Sequence, residues 1–584
     1  MKVLLTALNA KYIHTNLAVR YLKKTVENVI ENIEIQEYTI NHHSDYIISE
    51  IYKKNPEVLC FSCYIWNIEM ILQITKTLKK IMPDTMIVLG GPEVSFETKE
   101  LMEVNDSIDI VLIGEGELIF KELMTCLKEN KDYSQILSIA YRTKGEIYIN
   151  DRGQNPPLEE IPFAYGGEEL DGDKIVYYET SRGCPYNCQY CLSSADRGVR
   201  YFPIDRVKKE LKILIEAEVK QVKFVDRTFN ANKDFALEIM KFIMEHNRGK
   251  TNFHLEVTAD ILGDEMLEFL KDAPVGLFQF EIGVQSTNEE TLKEIDRRMD
   301  FEKLKEKVNI ISSYKNIHQH LDLIVGLPKE DYYTFRISFE DVFKLRPEKL
   351  QMGFLKLLKG SGLRARAEEF NYVYSDTAPY EVLENDYLSY GAMIRLKGVE
   401  EMVEIYWNSR LFNTSIEVII QNFYANAFRF FEELWKHWEK NGYHHTSHGK
   451  NKLYGILLDF YEEKHFQRLQ VFKEVLKFDF LKNTRTSSIP SFLNRQQEDN
   501  FKNSCHEFLQ QEANVAKYLP NYGNIPAKQI IKKVHFENFS YNVVELEVTP
   551  TRLNEVDQDQ TIVLFDYDLS NKAIDHSKYY IVSL

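Results

Sequence analysis

KIVYYETSRGCPYNCQYC, residues 174–191, runs from a strand-like stretch straight into a loop carrying three of the chain's seven cysteines. Cys184, Cys188 and Cys191 therefore stand at a strand's carboxyl end, where alternating strand–helix sheets gather ligands and chemistry. The residues that follow predict such a sheet. After KIVYYETS come QVKFVD, FHLEVTAD, GLFQFEIGVQS, HLDLIVGLP and KLQMGFLKL as strands, with helical stretches between them. In DRVKKELKILIEAEV, for example, Val207, Leu211, Leu214 and Ile215 share one helical face. Six units fall short of the eight of a closed barrel, so residues 174–365 are predicted to form an open, partial (β/α)6 barrel.

Upstream, residues 151–173 (DRGQNPPLEEIPFAYGGEELDGD) mix prolines, glycines and acids without apolar period and read as a linker. Residues 1–150 alternate again: KVLLTAL, IEIQEYTI, PEVLCFSCYI, TMIVLGG and IDIVLIGEGE are predicted strands separated by helices. That pattern predicts an α/β, doubly wound, Rossmann-like parallel sheet. Downstream, residues 366–584 form a mostly helical, aromatic extension that closes on two predicted strands, YNVVELEVTP and QTIVLFDYDL.

The formal charge of −17, from 72 basic and 89 acidic residues, gives no global field for phosphate backbones and argues against nucleic acid. No apolar run approaches the roughly 18 residues that span a bilayer, so no membrane partner is expected. MKVLLTALNA passes into polar KYIHTN without a leader pattern, and the cysteine count is low and odd. Both lead to an expectation of a reducing cytoplasm.

Three readings of the cysteine loop compete. A disulfide framework fails on compartment and on the odd count. A structural zinc site needs four ligands in paired knuckles, and no second pair of suitable spacing follows. An iron–sulfur cluster on three thiolates remains, with one iron open to a substrate.

The C-x3-C-x2-C spacing, with Tyr190 before the last cysteine, resembles the radical S-adenosylmethionine family. The resemblance implies a 4Fe-4S cluster on Cys184, Cys188 and Cys191 whose unique iron chelates S-adenosylmethionine and reductively cleaves it to a 5′-deoxyadenosyl radical. It implies contacts to that cosubstrate from Tyr190, from Asp226 and Arg227 in KFVDRTFN, from Glu281, Gln285 and Ser286 in FEIGVQS, and from Gly326 in LIVGLP. Glu281 sits in an apolar strand, so it should face the lumen and a polar partner.

VLGGPEVSFE and DIVLIGEGELIF resemble the cobalamin-binding domain of one subclass of that family. By that resemblance Gly90, Gly91, Pro92, Gly114, Glu115 and Glu117 line a cobalamin site, joined by Asn9, Ser62, Trp66 and Asn67. The place of a dinucleotide-binding G-x-G-x-x-G holds LNAKYIHTN instead, which excludes nicotinamide binding. The D-x-H-x-x-G string of histidine-ligated cobalamin domains is absent. His14 reads as a hydrogen-bonding residue and HHTSHGK, with His444, His445 and His448, as a polar loop.

The implied function is cobalamin-dependent radical chemistry, with methyl transfer to an unactivated carbon of a small molecule or peptide. The implied electron donor is a flavodoxin or ferredoxin. Ring rearrangement or another radical conversion is the alternative. A methylthiotransferase would need a second cluster on Cys60, Cys63 and Cys126, which read as buried structural thiols. A cobalamin-responsive sensor would leave the cysteine triad without purpose. No catalytic side chain beyond the cluster ligands is assigned.

Overall fold

A computed structural model describes residues 1–166, 170, 172–194, 198–486, 488–493, 495, 500–567 and 577–584. The chain forms two compact units. One comprises Met1–Tyr314, Ile324–Asp331 and Gly353–Tyr390, the other Lys315–Leu323, Tyr332–Met352 and Gly391–Leu584. No helix among the described residues is long and apolar enough to cross a membrane.

The first unit begins with a seven-stranded sheet. Its strands are β1 (Lys2–Asn9), β2 (Asn32–Thr39), β3 (Val58–Ser62), β4 (Met86–Gly90), β5 (Ile110–Leu112), β6 (Ile139–Thr143) and β7 (Glu146–Ile149), in the order β2-β1-β3-β4-β5-β6-β7. The first five are parallel. Alternate residues of β1 feed opposite faces, as a period of two requires. Leu4 and Leu8 pack with Ile47, Ile71 and Leu78, and Val3, Leu5 and Ala7 with Val19, Phe120 and Met124. Those partners come from α1 (Leu17–Val26), α2 (Ser44–Lys54), α3 (Ile68–Ile81) and α5 (Glu117–Glu129), with α4 (Thr98–Val104) adding Leu101 and Met102 to the first cluster.

The sheet carries two strands more than the alternation predicts. β6 and β7 form an antiparallel hairpin closed at Lys144–Gly145, both with positive φ (50° and 84°). A two-residue turn of that kind matches the twist of the flanking strands.

Within 151–173, Leu158, Ile161, Ala164 and Tyr165 are buried, and the Tyr165 hydroxyl donates to the Tyr177 carbonyl at 2.6 Å. The linker is thus docked, not free. Its residues 167–169 and 171 lie outside the described ones.

Next come β8 (Ile175–Tyr178), the hairpin strands β9 (Ser181–Cys184) and β10 (Gly198–Tyr201), β11 (Gln221–Phe224), β12 (Asn252–Glu256), β13 (Phe278–Gln285), β14 (His318–Val325) and β15 (Lys349–Phe354). The six predicted barrel strands are all present, in the order β15-β14-β13-β12-β11-β8. β8, β11, β12 and β13 pair in parallel. The helix Ile204–Glu216 buries Val207, Leu211, Leu214 and Ile215, the predicted face.

The segment after β15 carries the short antiparallel strands β16 (Val373–Tyr374) and β17 (Val382–Glu384). It packs on the loop that follows β4. Arg364 Nε donates to Glu97 Oε1 at 3.0 Å, the Tyr380 hydroxyl donates to Glu93, and Lys359 pairs with Glu93 at 3.5 Å.

The second unit is helical, with a closing antiparallel sheet of β18 (Val534–Phe539), β19 (Thr561–Asp566) and β20 (Lys578–Val582). β19 lies in QTIVLFDYDL, whose last two residues fall outside the described ones. YNVVELEVTP is not a strand, contrary to its alternation. Glu545–Val548 is one helical turn that buries Leu546, and the sheet takes VHFENF instead. Alternation over four or five residues fits either element, so only the packing partner decides.

Candidate active site

The cysteine loop is held by charge and backbone from several directions. Past β8 the chain turns into β9, which pairs antiparallel with β10. Gly183 has φ +97°, and a Cβ there would collide with the Gly198 carbonyl, so glycine is required for the hairpin to close. Buried Asp226, just past β11, staples the turn by accepting from Thr180 N at 2.9 Å, Thr180 Oγ1 at 2.6 Å and Ser181 Oγ at 2.6 Å. Burial pushes its pKa up, and those donors oppose the rise. With both oxygens engaged, Asp226 is a holder of the loop. The sequence assigns Asp226 a contact to the cosubstrate, whereas in the structure its oxygens meet Thr180 and Ser181.

Beyond the hairpin, Gln189 N donates to Ile295 O at 2.9 Å, and Gln189 O accepts from Leu363 N at 2.8 Å. Cys184 Sγ lies 3.6 Å from Thr228 Oγ1, and Cys188 Sγ accepts from Arg297 Nη1 at 3.7 Å. Burial raises the Cys188 thiol, with the Arg297 guanidinium pulling the other way. Arg297 also donates to the Tyr190 hydroxyl at 3.3 Å and to the Gly283 carbonyl. Its Nε is buried without a partner.

Among the described residues no three His, Cys, Asp or Glu side chains converge on a single metal ion. A cubane places each thiolate on a different iron, so its thiolates need not meet at one point. Three thiols in one loop, with the Arg297 guanidinium against Cys188, suit such a cluster.

The barrel lumen is polar. Along β13 the apolar Phe278, Phe280, Ile282 and Val284 are buried, and Gln279, Glu281, Gly283 and Gln285 alternate with them. Glu281 Oε2 meets Lys223 Nζ at 3.0 Å and His254 Nε2 at 2.8 Å, the polar partners its place in the strand demands. Burial alone would raise its pKa, but the His254 hydrogen bond and the Lys223 ammonium bring it down to about 2. Glu256, on β12 in register with Glu281, behaves oppositely: burial, with Glu281 beside it, pushes it up to about 7 against Arg227 and Lys223.

Gln285 holds a left-handed φ of +73°. Buried Ser286 donates to Glu330 Oε1 at 2.6 Å and accepts from Asn288 N at 3.0 Å. Gly326 has φ +95°, and its carbonyl accepts from the Tyr372 hydroxyl at 2.9 Å and Asn385 Nδ2 at 3.0 Å.

A cavity of about 360 Å³ opens at the carboxyl ends of β3, β4 and β5. Ser62, Gly90, Gly91, Pro92, Gly114, Glu115 and Glu117 line it. Gly91, at φ +116°, has no room for a Cβ, which would stand 2.5 Å from the Cys63 carbonyl oxygen. Leu192 and Ser193, directly after Cys191, line the same cavity, as do Arg182 and Arg227. Cysteine loop and amino-terminal cavity therefore share a wall. Glu117 Oε2 is buried there without a partner. A corrin ring carries primary amides on its rim, and their N–H groups would satisfy such an oxygen. Among the described residues no histidine lines the cavity.

Three predicted residues are not at the cavity. Asn9 Nδ2 donates to His14 O and Glu37 Oε1, both at 3.0 Å. Asn67 braces the turn after β3 through Tyr64 N at 2.8 Å, Ser62 O at 3.0 Å and Leu8 O at 3.0 Å. Trp66 donates to Leu8 O and stacks flat on Tyr64, with centroids 4.4 Å apart, so Tyr64 takes the lining place. Asx and indole groups read as ligand contacts are absorbed by the local backbone.

His14 hydrogen-bonds the Tyr177 hydroxyl at 2.7 Å. Of the HHTSHGK histidines, His444 and His448 pack against Trp438, with His444 Nδ1 3.0 Å from Glu401. Cys60 and Cys63 are buried, and burial raises both thiols.

Residues that the sequence left unread are Arg182, Lys223, His254, Glu256 and Arg297. Arg182, Lys223, His254 and Glu256 lie on β9, β11 and β12, and Arg297 follows the helix Glu289–Glu294. The alternating positions of QVKF and HLEV, and the doubled arginine of IDRRM, are the available signals.

Three known families match along the chain: the B12 binding domain over residues 3–124, the Radical SAM superfamily over 178–342, and DUF4080 (Protein of unknown function) over 368–565. The cobalamin-dependent radical SAM methyltransferase TokK of Streptomyces tokunonensis is 28% identical over 306 residues, covering 48% of this chain and 44% of TokK. The chain thus spans about half the length of the curated relatives it matches. The radical S-adenosylmethionine methyltransferase TsrM from Kitasatospora setae, solved with cobalamin and a [4Fe-4S] cluster, superposes with a TM-score of 0.54 at 17% identity. It covers 65% of this chain and 80% of that one. OxsB, a cobalamin-dependent S-adenosylmethionine radical enzyme solved with aqua-cobalamin, gives 0.52 at 16% identity over 94% and 84%. At these identities the two structures speak for the fold.

Proposed function

From the premise that this chain is a radical SAM protein with a B12 binding domain, its cofactors being a 4Fe-4S cluster, S-adenosylmethionine and cobalamin, we propose that it transfers a methyl group to an unactivated carbon of a small molecule or peptide. When bound, the cluster supplies the electron that cleaves S-adenosylmethionine to a hydrogen-abstracting radical, and cobalamin supplies the methyl group. One observation carries the reading: Leu192 and Ser193 of the cysteine loop wall the same cavity as the glycine-rich strand ends of the amino-terminal sheet.

In this reading Cys184, Cys188 and Cys191 hold the cluster, and Arg297 stabilises the Cys188 thiolate by a charge-assisted hydrogen bond. Asp226 keeps the loop's entry turn in place. Ser62, Gly90–Pro92 and Gly114–Glu117 receive cobalamin. Arg227, Glu281, Gln285, Ser286, Tyr190 and Gly326 orient the cosubstrate at the strand ends, and Glu256 faces the substrate as a carboxyl able to hold or release a proton near neutrality. The protein's own contribution is to keep donor and acceptor a few ångströms apart in a site shielded from water. A flavodoxin or ferredoxin would deliver the electron.

The test is anaerobic reconstitution with iron, sulfide and cobalamin, followed by reduction. Wild-type protein should show both chromophores and release 5′-deoxyadenosine, and candidate metabolites should gain the mass of one methyl. Cys188→Ala should bind cobalamin and release no deoxyadenosine. Equal release by both proteins refutes the assignment.

A further inference from the structure

We propose that Arg182 is a positioning residue that ties the cysteine hairpin to the cavity wall, so that one buried ion cluster sets the spacing between the two cofactors. This rests on the reading that the loop holds the cluster and the cavity holds cobalamin. Arg182 lies on β9, two residues before Cys184. Its side chain is 13% exposed, and its guanidinium donates to three carboxylates. Nε and Nη2 reach Glu179 Oε1 at 3.0 and 2.7 Å, Nη1 reaches Glu115 Oε2 at 2.8 Å, and Nη2 reaches Glu117 Oε1 at 2.5 Å.

Glu179 follows β8. Glu115 stands in the turn after β5 and Glu117 opens α5, and both line the cavity together with Arg182. Arg200, directly across the hairpin from Arg182, also pairs with Glu115.

Two guanidiniums among three carboxylates form a cluster that is costly to break, because losing one cation leaves buried like charges facing each other. The contacts are spread over Nε, Nη1 and Nη2, which lysine's single nitrogen cannot reproduce, so lysine is not an equivalent. A ligand that moves the Gly114–Glu117 turn must therefore move β9 and β10, and Cys184 with them.

Amide exchange on the full chain, loaded with neither cluster nor substrate, tests this with aquocobalamin as the probe. In the wild type, aquocobalamin should slow exchange at 114–117 and also at 198–201, the latter about tenfold, a middling value for coupled sites. In Arg182→Gln and Arg182→Lys the protection at 114–117 should persist while that at 198–201 disappears. Arg200→Gln, altered at a 36%-exposed position that the fold tolerates, should weaken the protection at 198–201 without abolishing it. With both cofactors loaded, the enhanced spin relaxation of cobalt(II) beside the reduced cluster should fall in Arg182→Gln.

Equal protection of 198–201 in the wild type and all three variants overturns the latch and leaves the functional reading standing. A wild-type chain that takes up no cobalamin overturns the reading of the cavity, and the latch with it.

Discussion

Glu256 and Glu281 stand side by side on neighbouring strands, yet one is held near 7 and the other near 2. The difference is partnership. Glu281 has Lys223 and His254 at ion-pair distance, whereas burial dominates at Glu256. The two therefore carry opposite pH signatures. Glu281, depressed, contributes stability above the unfolded value of about 4.5, lost as pH falls towards 2. Glu256, raised, binds a proton more tightly folded than unfolded, so stability falls as pH rises from about 4.5 to 7. Glu256→Gln should accordingly stabilise the cofactor-free protein by about 1–3 kcal/mol at pH 8 and by almost nothing at pH 4, read by urea titration at both. Glu281→Gln should instead cost about 2–3 kcal/mol at pH 7, because it strands the Lys223 ammonium.

At the scale of elements, the cysteine hairpin is defined by contacts outside itself. Asp226→Ala removes the acceptor for three buried donors on Thr180 and Ser181, a loss of about 2–3 kcal/mol. Iron content after reconstitution should drop in parallel, and a variant that loads iron fully would show that the loop needs no staple. In the second unit, the helix Ala427–Lys440 buries Phe428, Phe430, Phe431, Leu434 and Trp438. Phe431 meets Phe339 and Phe343 at 6.1 and 5.7 Å, so Phe431→Ala should cost about 3–5 kcal/mol in a thermal or urea melt.

Helices with such a stripe were legible because their period is local. So were eleven strands of the two sheets at the front of the chain, from β1 to β15. The β6–β7 and β9–β10 hairpins were not, since KG and the cysteine motif drew no strand reading. VVELEVTP was misread because four or five alternating residues fit a strand or a single helical turn equally well.

On the scale of the whole molecule, the compact units divide the chain elsewhere than at the family boundary near residue 368. Lys315–Leu323 and Tyr332–Met352 belong with Gly391–Leu584, and residues 366–390 belong with the first unit. A chain cut after Ala365 should therefore fail to fold cooperatively and should expose apolar surface to a hydrophobic dye. The intact chain should show more than one calorimetric transition. A cut chain with a single sharp transition would mean that the helical unit is dispensable for the barrel.

What the sequence by itself determined is what depends on near neighbours: the strand–helix alternation, the helical stripes, the three-thiol spacing and the glycines at strand ends. Tertiary structure alone decided which distant charges meet. Arg182 finds Glu115 and Glu117 at separations of 67 and 65 residues, and Arg297 finds Cys188 at 109. Polar side chains have no period that marks their partners, and only burial, which makes an unpaired charge intolerable, selects one pairing from many.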